Sequence, residues 1–421
     1  MTGPTLLTHL ADTIVAEAQS RREELVMLCG RLVAARSVNP DGDTREVADI
    51  VSEFLRSRGI ESRLERQVEH MPSVIAELDS GRPGPHLVLN VHMDTMPPGD
   101  ESAWSVPVWE LTRTQGRLYG IGMGNMKGAV AAMLHAVDLL HGHRESWCGT
   151  VTFTAVSDEV VFGDNGAAFL LREHPHLVGD ALICGEGPGY RRLAIGEKGV
   201  LWLEIGVTGD AGHSSSVRAG RSASARLAAA VTAVDGLTGY RGDALPMDLH
   251  SLLTMGAELD LTANVGTMTA GTFIGQVATA GRAEVDLRLP PGIDVDTAER
   301  MVRAAVTAAV PDADAAPTVR RIKGWDANVT APGNRLVRSW HQATVAADIA
   351  EPAHAIRLPA SDASRWRHLG VPAVCYGPQP TLSAGVDDYA DEDEVVNCVA
   401  LYTLAAVAFT TGGGAHDDLS A

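Results

Sequence analysis

At 421 residues the chain is too long for one small domain, and 45% hydrophobic with 21% charged residues excludes wholesale disorder. Its 53 acidic against 34 basic residues give a net charge of −19, which repels phosphate backbones and anionic membrane faces, so neither nucleic acid nor membrane is an expected partner. Five widely spaced cysteines without a Cys-x-x-Cys pair exclude a disulfide framework and a zinc ribbon. Lysine occurs only at Lys127, Lys198 and Lys323. With the heavy Ala and Gly usage, that points to a GC-rich bacterial gene, on codon rather than physical grounds. The acid-bearing first 30 residues do not read as a signal peptide, and no apolar run approaches a span of roughly 20 residues. The expectation is a cytoplasmic protein.

In chain order, Leu25, Leu28 and Leu32 share one helical face. Val47, Ile50, Val51 and Phe54 mark a second helix, with Asp43 and Glu46 a candidate capping box at its start. Leu87–Val91, Val151–Val156 and Ala181–Cys184 are short apolar runs of the buried-strand kind, and Ala129–Leu140 reads as a helix between the first two. This alternation predicts an α/β domain with a mostly parallel sheet. From Gly199 the order becomes strand (Val200–Val207), helix (Ser222–Val234), strands (Asn264–Thr269, Arg282–Leu289), helix (Thr297–Val310) and strand (Thr318–Ile322). That is the split βαβ, ferredoxin-like order. The predicted division is an α/β domain of residues 1–198 and 324–421, interrupted by an inserted domain of residues 199–323. Val371–Tyr376 reads as a further strand. The tail from Thr410, with Gly412-Gly413-Gly414, is expected to be mobile.

Chemistry-bearing residues collect where the predicted strands end, the usual place for a site in an open α/β sheet. His92-Met93-Asp94 follows the first apolar run, a spacing that suits a metal-ligating His whose ring an acid orients, although His-x-Asp alone is weak. Ser157-Asp158-Glu159 follows the next run, with Gly163 and Gly166 after it, and Gly185-Glu186 ends the third. Gly122-Met123-Gly124-Asn125-Met126-Lys127-Gly128 and Gly196-Glu197-Lys198-Gly199 lie among them. Beyond come Gly212-His213-Ser214-Ser215, Asn264-Val265-Gly266, Asp286-Leu287-Arg288, Ser361-Asp362-Ala363, Tyr376-Gly377-Pro378 and Asp393-Glu394-Val395-Val396.

This ordered series, from about residue 20 to 405, resembles the co-catalytic zinc amidohydrolases that include acetylornithine deacetylase, succinyl-diaminopimelate desuccinylase, aminoacylase and the glutamate carboxypeptidases. The resemblance implies a catalytic α/β domain interrupted by a lid that also makes a homodimer. It implies a zinc site of His92 and Glu186 with Asp94 behind the His, and Glu159 as general base. In the lid it implies His213 steadying an oxyanion across the dimer and Arg288 gripping a substrate carboxylate. Asn264 and Asn125 are further substrate-binding candidates, and the family Asn that assists the Arg is replaced by Gly275.

The sequence departs from the family at three metal ligands. The bridging Asp is Asn125, the Glu after the base is Val160, and the C-terminal His is Ala390. Two dications about 3.5 Å apart repel by roughly 19 kcal/mol at an effective dielectric of about 20, and a bridging carboxylate normally offsets part of that. The expectation is at most one zinc or other divalent ion per chain, or none. The acidic residues Asp387, Asp388, Asp391, Glu392 and Asp393 are the one candidate source of a substitute ligand. His141, His143, His174 and His176 read as surface histidines. Gly120, Gly122 and Gly124 form no phosphate loop.

Three functions compete at this level. The first is a deacylase- or peptidase-like enzyme on an amide or acyl derivative of an amino acid, with Glu159 as acid/base and hydrolysis, acyl transfer, cyclisation or elimination all open. The second is a non-catalytic ligand- or partner-binding relative. The third is a conventional two-zinc amidohydrolase with relocated ligands.

Overall fold

The computed structural model describes residues 3–241, 249, 259–311, 316–380 and 385–411. Of the tail expected to be mobile from Thr410, Thr410 and Thr411 close the helix Glu392–Thr411, and residues 412–421 lie outside the described residues. The chain divides into two compact units, the first Met1–Ile195, Thr330–Ala355 and Ser361–Ala421, the second Gly196–Val329 and Ile356–Ala360.

The first unit is built on a twisted sheet. Its strands are β1 (Arg63–Glu65), β2 (Ser73–Asp79), β3 (His86–His92), β6 (Thr150–Val156), β7 (Ala181–Cys184), β8 (Arg192–Glu197), β14 (Ala353–Arg357) and β15 (Ala373–Cys375). They run in the order β1-β2-β6-β3-β7-β15-β8, with β14 on β8. The four central strands β6, β3, β7 and β15 are mutually parallel, and β1, β2 and β8 are antiparallel additions. The strands of the parallel core are buried almost throughout, because helices cover both faces of such a sheet. A small sheet of β4 (Thr112–Thr114), β5 (Arg117–Tyr119) and β16 (Tyr389–Asp391) stands apart.

The helices Arg22–Ala34, Arg45–Ser57 and Gly128–Gly142 stand where the periodicity predicts them. The capping box does not form. Thr44 is the N-cap residue and makes no side-chain cap bond. Asp43 instead accepts from Arg45, from its backbone N–H at 3.2 Å and from its guanidinium at 2.6 Å. The expectation of no span-length apolar segment also needs correction. Helix Glu392–Thr411 is long and apolar enough to cross a membrane, but 83% of its apolar window is buried in this fold. Apolar all round, it is a core helix packed against Gly128–Gly142 and Arg335–Ala346. The five cysteines are free, and four of them are buried.

The second unit holds a four-stranded antiparallel sheet ordered β10 (Thr262–Ala270), β11 (Ala280–Leu289), β9 (Gly199–Thr208), β12 (Thr318–Trp325). Helices Ala223–Asp235 and Val295–Ala309 cover one face. Leu201, Leu203 and Ile205 alternate inward with Val285, Leu287, Val302 and Val306 as its core. The short strand β13 (Asn328–Val329) pairs with Gly196 and Glu197 at the end of β8.

Candidate active site

The three strands β6, β3 and β7 are parallel neighbours, so their carboxyl ends open on one edge of the sheet. His92 is the last residue of β3, Glu159 stands three residues beyond β6 and Glu186 two beyond β7. All three are buried, and each offers one ligand atom within 4.8 Å of the others. Among the described residues they are the one group of three or more His, Cys, Asp or Glu so placed.

The ring of His92 is fixed at both nitrogens. Nδ1 donates to the backbone oxygen of Asp94 at 2.9 Å, and Nε2 faces Asn125 Oδ1 at 3.0 Å and Glu159 Oε2 at 3.7 Å. With Nδ1 committed to the Asp94 carbonyl, Nε2 is the ring atom that faces Asn125 and the two glutamates; protonated it donates to Asn125 Oδ1, and deprotonated it offers a lone pair. Asp94 lies under this arrangement, fully buried. Its carboxylate accepts from Asn39 Nδ2 at 2.9 Å and from the backbone N–H groups of Glu159 and Val160 at 3.2 and 3.0 Å. It therefore holds the backbone of the general-base candidate as well as standing beside the His92 ring.

Glu159 is carried on a tight loop. Asp158 sits at φ 64°, a left-handed conformation that Asp tolerates better than most residues. Its carboxylate accepts from Asn165 Nδ2 at 2.7 Å. A Cβ on Gly163 would fall 1.9 Å from that carboxylate, so only glycine fits there. Asn125 sits in the turn before helix Gly128–Gly142, and its peptide to Met126 is cis.

Negative charge is concentrated here. Burial and the neighbouring Glu186 carboxylate push Glu159 well above the usual carboxyl range. Burial raises Asp362 to about 6, with Asn90 donating to it at 3.3 Å. Burial opposes protonation of His92, but Glu159 and Asp94 outweigh it and hold the imidazole well above its ordinary value. The dominant physical fact is excess negative charge out of water, which binds either protons or a cation. Oε1 of Glu159 is buried with no hydrogen-bond partner. The Glu186 carboxylate and the deprotonated His92 Nε2 are two donors that fit one divalent ion, with the orphaned Glu159 oxygen beside them.

Val160 and Ala390 present only hydrocarbon, and Ala390 is packed in β16 against Gly128. The acidic run makes hydrogen bonds and ion pairs of its own, and Asp388 does so beside Asn125, on the N–H of Gly124. Asp387 accepts from Ser105, Asp388 from the Gly124 N–H, Asp391 from Arg117, and Glu392 from Arg113 and Arg22, while Asp393 pairs with Arg22. His143, His174 and His176 lie beside the surface glutamates Glu17, Glu65 and Glu77. In the second unit His213 is exposed and turned onto Ser215, with its Nδ1 accepting from the Ser215 N–H at 3.2 Å. Arg288 pairs with Asp286 at 2.9 Å and keeps Nη1 buried without a partner. Asn264 lies opposite Asp286 across β10 and β11, on the same sheet face as Arg288.

Asn39 and Asp362 are not legible as site residues from the sequence. Asn39-Pro40 reads as a turn signal and nothing more, and Asp362 belongs to a motif, Ser361-Asp362-Ala363, that names no role.

Residues 88–408 match the family model of peptidase family M20/M25/M40. Succinyl-diaminopimelate desuccinylase from Coxiella burnetii (strain Dugway 5J108-111) is 28% identical over 201 residues, 45% of this chain and 51% of the relative. A probable succinyl-diaminopimelate desuccinylase from Staphylococcus aureus (strain Mu50 / ATCC 700699) is 28% identical over 194 residues, 46% and 47%. The chain thus spans about half the length of the curated relatives it matches. In fold it is similar to human carnosine dipeptidase 1, with a TM-score of 0.74, 14% identity and coverage of 95% of this chain and 99% of that one. It is also similar to an M20 family metallo-carboxypeptidase from Sulfolobus solfataricus, with a TM-score of 0.72, 18% identity and coverage of 92% and 98%. The chain belongs to peptidase family M20/M25/M40.

Proposed function

We propose that this member of the M20/M25/M40 peptidases is an amidohydrolase that removes an acyl group from an amino-acid derivative, working with at most one divalent ion. The observation that carries the reading is the convergence of His92, Glu159 and Glu186 within 4.8 Å at the ends of three parallel strands.

His92 and Glu186 would hold the ion, and when bound it would polarise the scissile carbonyl. Among the described residues a second ion finds no comparable donor set, because Val160 and Ala390 supply no ligand atom and Asn125 supplies no charge. Glu159 takes the proton from the attacking water and returns it to the leaving nitrogen. Its burial beside Glu186 raises its proton affinity above the ordinary carboxyl range, which suits a group that must both take up and return a proton. Asn125, 3.0 Å from the His92 ring, is placed to donate its amide N–H to a polar group of the substrate. Arg288 and Asn264 are the substrate-carboxylate candidates of the lid, and His213 its oxyanion candidate.

A panel of N-acetyl- and N-succinyl-L-amino acids and dipeptides tests the reading. Turnover of at least one compound is expected, with Glu159→Gln at least about 100-fold slower. Excess chelator should reduce turnover only in part. No turnover of any compound, with unchanged ligand capture by Glu159→Gln, would favour a binding-only relative, the reading that neutral Asn125 at the bridging position supports.

A further inference from the structure

We propose that Asn39 is a positioning residue that sets the placement of Glu159 relative to His92. The proposal rests on the reading of Glu159 as the acid/base group.

The segment before Asn39 is stitched alongside the end of β3. Val38 bridges Thr95 in parallel, Thr95 N–H donates to Ser37, Asn39 N–H donates to Thr95, and Ser37 Oγ donates to the Met93 oxygen at 2.8 Å. This frame fixes the Asn39 backbone beside the strand that delivers His92. The side chain is 2% exposed and points inward.

Its single amide nitrogen then reaches two carboxylates that come from different strands. Nδ2 stands 2.9 Å from Asp94 Oδ2 and 3.2 Å from Asp158 Oδ1. Asp94 adjoins the His92 ring and holds the backbone N–H groups of Glu159 and Val160. Asp158 is the left-handed hinge of the loop that presents Glu159, tied to Asn165 on its other oxygen. One NH2 group, with two hydrogens and no acceptor character, is therefore shared between the acid under His92 and the acid under Glu159. Two buried carboxylates otherwise repel each other, and a neutral double donor joins them without adding charge. The clamp touches neither the reacting atoms nor the candidate ion site. It acts through Asp94 and Asp158.

Two variants separate positioning from simple stability. Asn39→Ala removes the shared donor. Asn39→Asp keeps the shape and puts a third acceptor between the two acids. In the full-length protein we expect both to raise amide exchange in residues 92–96 and 157–166 together, with the second unit unchanged. On an N-acyl-amino acid that the wild type hydrolyses, kcat should fall at least about 10-fold with KM within threefold. Zinc affinity, measured by competition with a colorimetric chelator, should fall about 10- to 100-fold, the usual scale for groups that orient ligands. Exchange that rises in one segment only, or kcat and zinc affinity within twofold of wild type in a variant of unchanged Tm, would overturn the proposal. Glu159→Gln runs in parallel. If that variant keeps wild-type turnover, the reading of Glu159 fails by itself, and exchange and zinc affinity still decide the role of Asn39. Should Asn39→Asp not fold, Asn165→Ala loosens Asp158 from its other side and is expected to lower kcat in the same way, with unchanged kcat counting against the clamp.

Discussion

At the scale of single residues, the chemistry is set by acids that the fold keeps out of water. Glu159, Glu186, Asp94 and Asp362 are all buried near one imidazole. For both Glu159 and His92 the folded state binds a proton more tightly than the unfolded chain does. Stability supplied by those protons is present at low pH and is lost as pH rises through the raised folded-state values. Chelator-treated protein should therefore lose Tm as pH rises above the ordinary carboxyl and imidazole ranges, and Glu159→Gln should show a shallower slope because one of the two groups no longer titrates. Differential scanning calorimetry at four pH values checks this, and equal slopes would contradict it. His92, Glu159 and Glu186 can be named from the sequence because each follows a short apolar run, and a strand end is a position that pattern alone locates. Asn39 cannot. Its role depends on an amide crossing between two acids 55 and 119 residues away, and no periodicity encodes that contact.

At the scale of elements, parallel strand order does the positioning. With β3 between β6 and β7, a His ending the middle strand must face acids that follow its neighbours. Apolar runs and helix periodicity are enough to place these strands and the βαββαβ order of the second unit. They do not reveal β2, which pairs with β1 and β6, nor helix Glu392–Thr411, whose uniform apolarity leaves no period to read. Nor do they reveal the bulge between Arg321 and Lys323 in β12. The loop after β6 yields a sharper test. Gly163→Ala puts a methyl into the Asp158 carboxylate, so the loop must shift and Glu159 with it. We expect turnover to drop at least about 10-fold while the Tm moves by only a few degrees, since the change lies in an edge loop and not in the core. Unchanged kinetics would mean that Asp158 does not hold Glu159 in place.

At the scale of the molecule, each unit has its own core, and the second offers an edge for assembly. Among the described residues β10 pairs on one side only, and its Met268 and the nearby Phe273 and Ile274 are exposed. An unpaired edge with apolar neighbours is a natural seat for a second copy of the same strand. We expect a homodimer by light scattering at micromolar concentration, and conversion toward monomer when Phe273 and Ile274 are both changed to Asp. A wild-type monomer would contradict this. The central claim concerns how many metal ions one chain needs. Elemental analysis of protein reconstituted with excess zinc and then desalted, set beside its hydrolysis of the best N-acyl-amino acid, tests it most directly. The account predicts no more than one zinc per chain at full activity, with turnover that depends on Glu159. Two zinc ions per chain, with activity lost to chelator and regained only as the second ion returns, would contradict it.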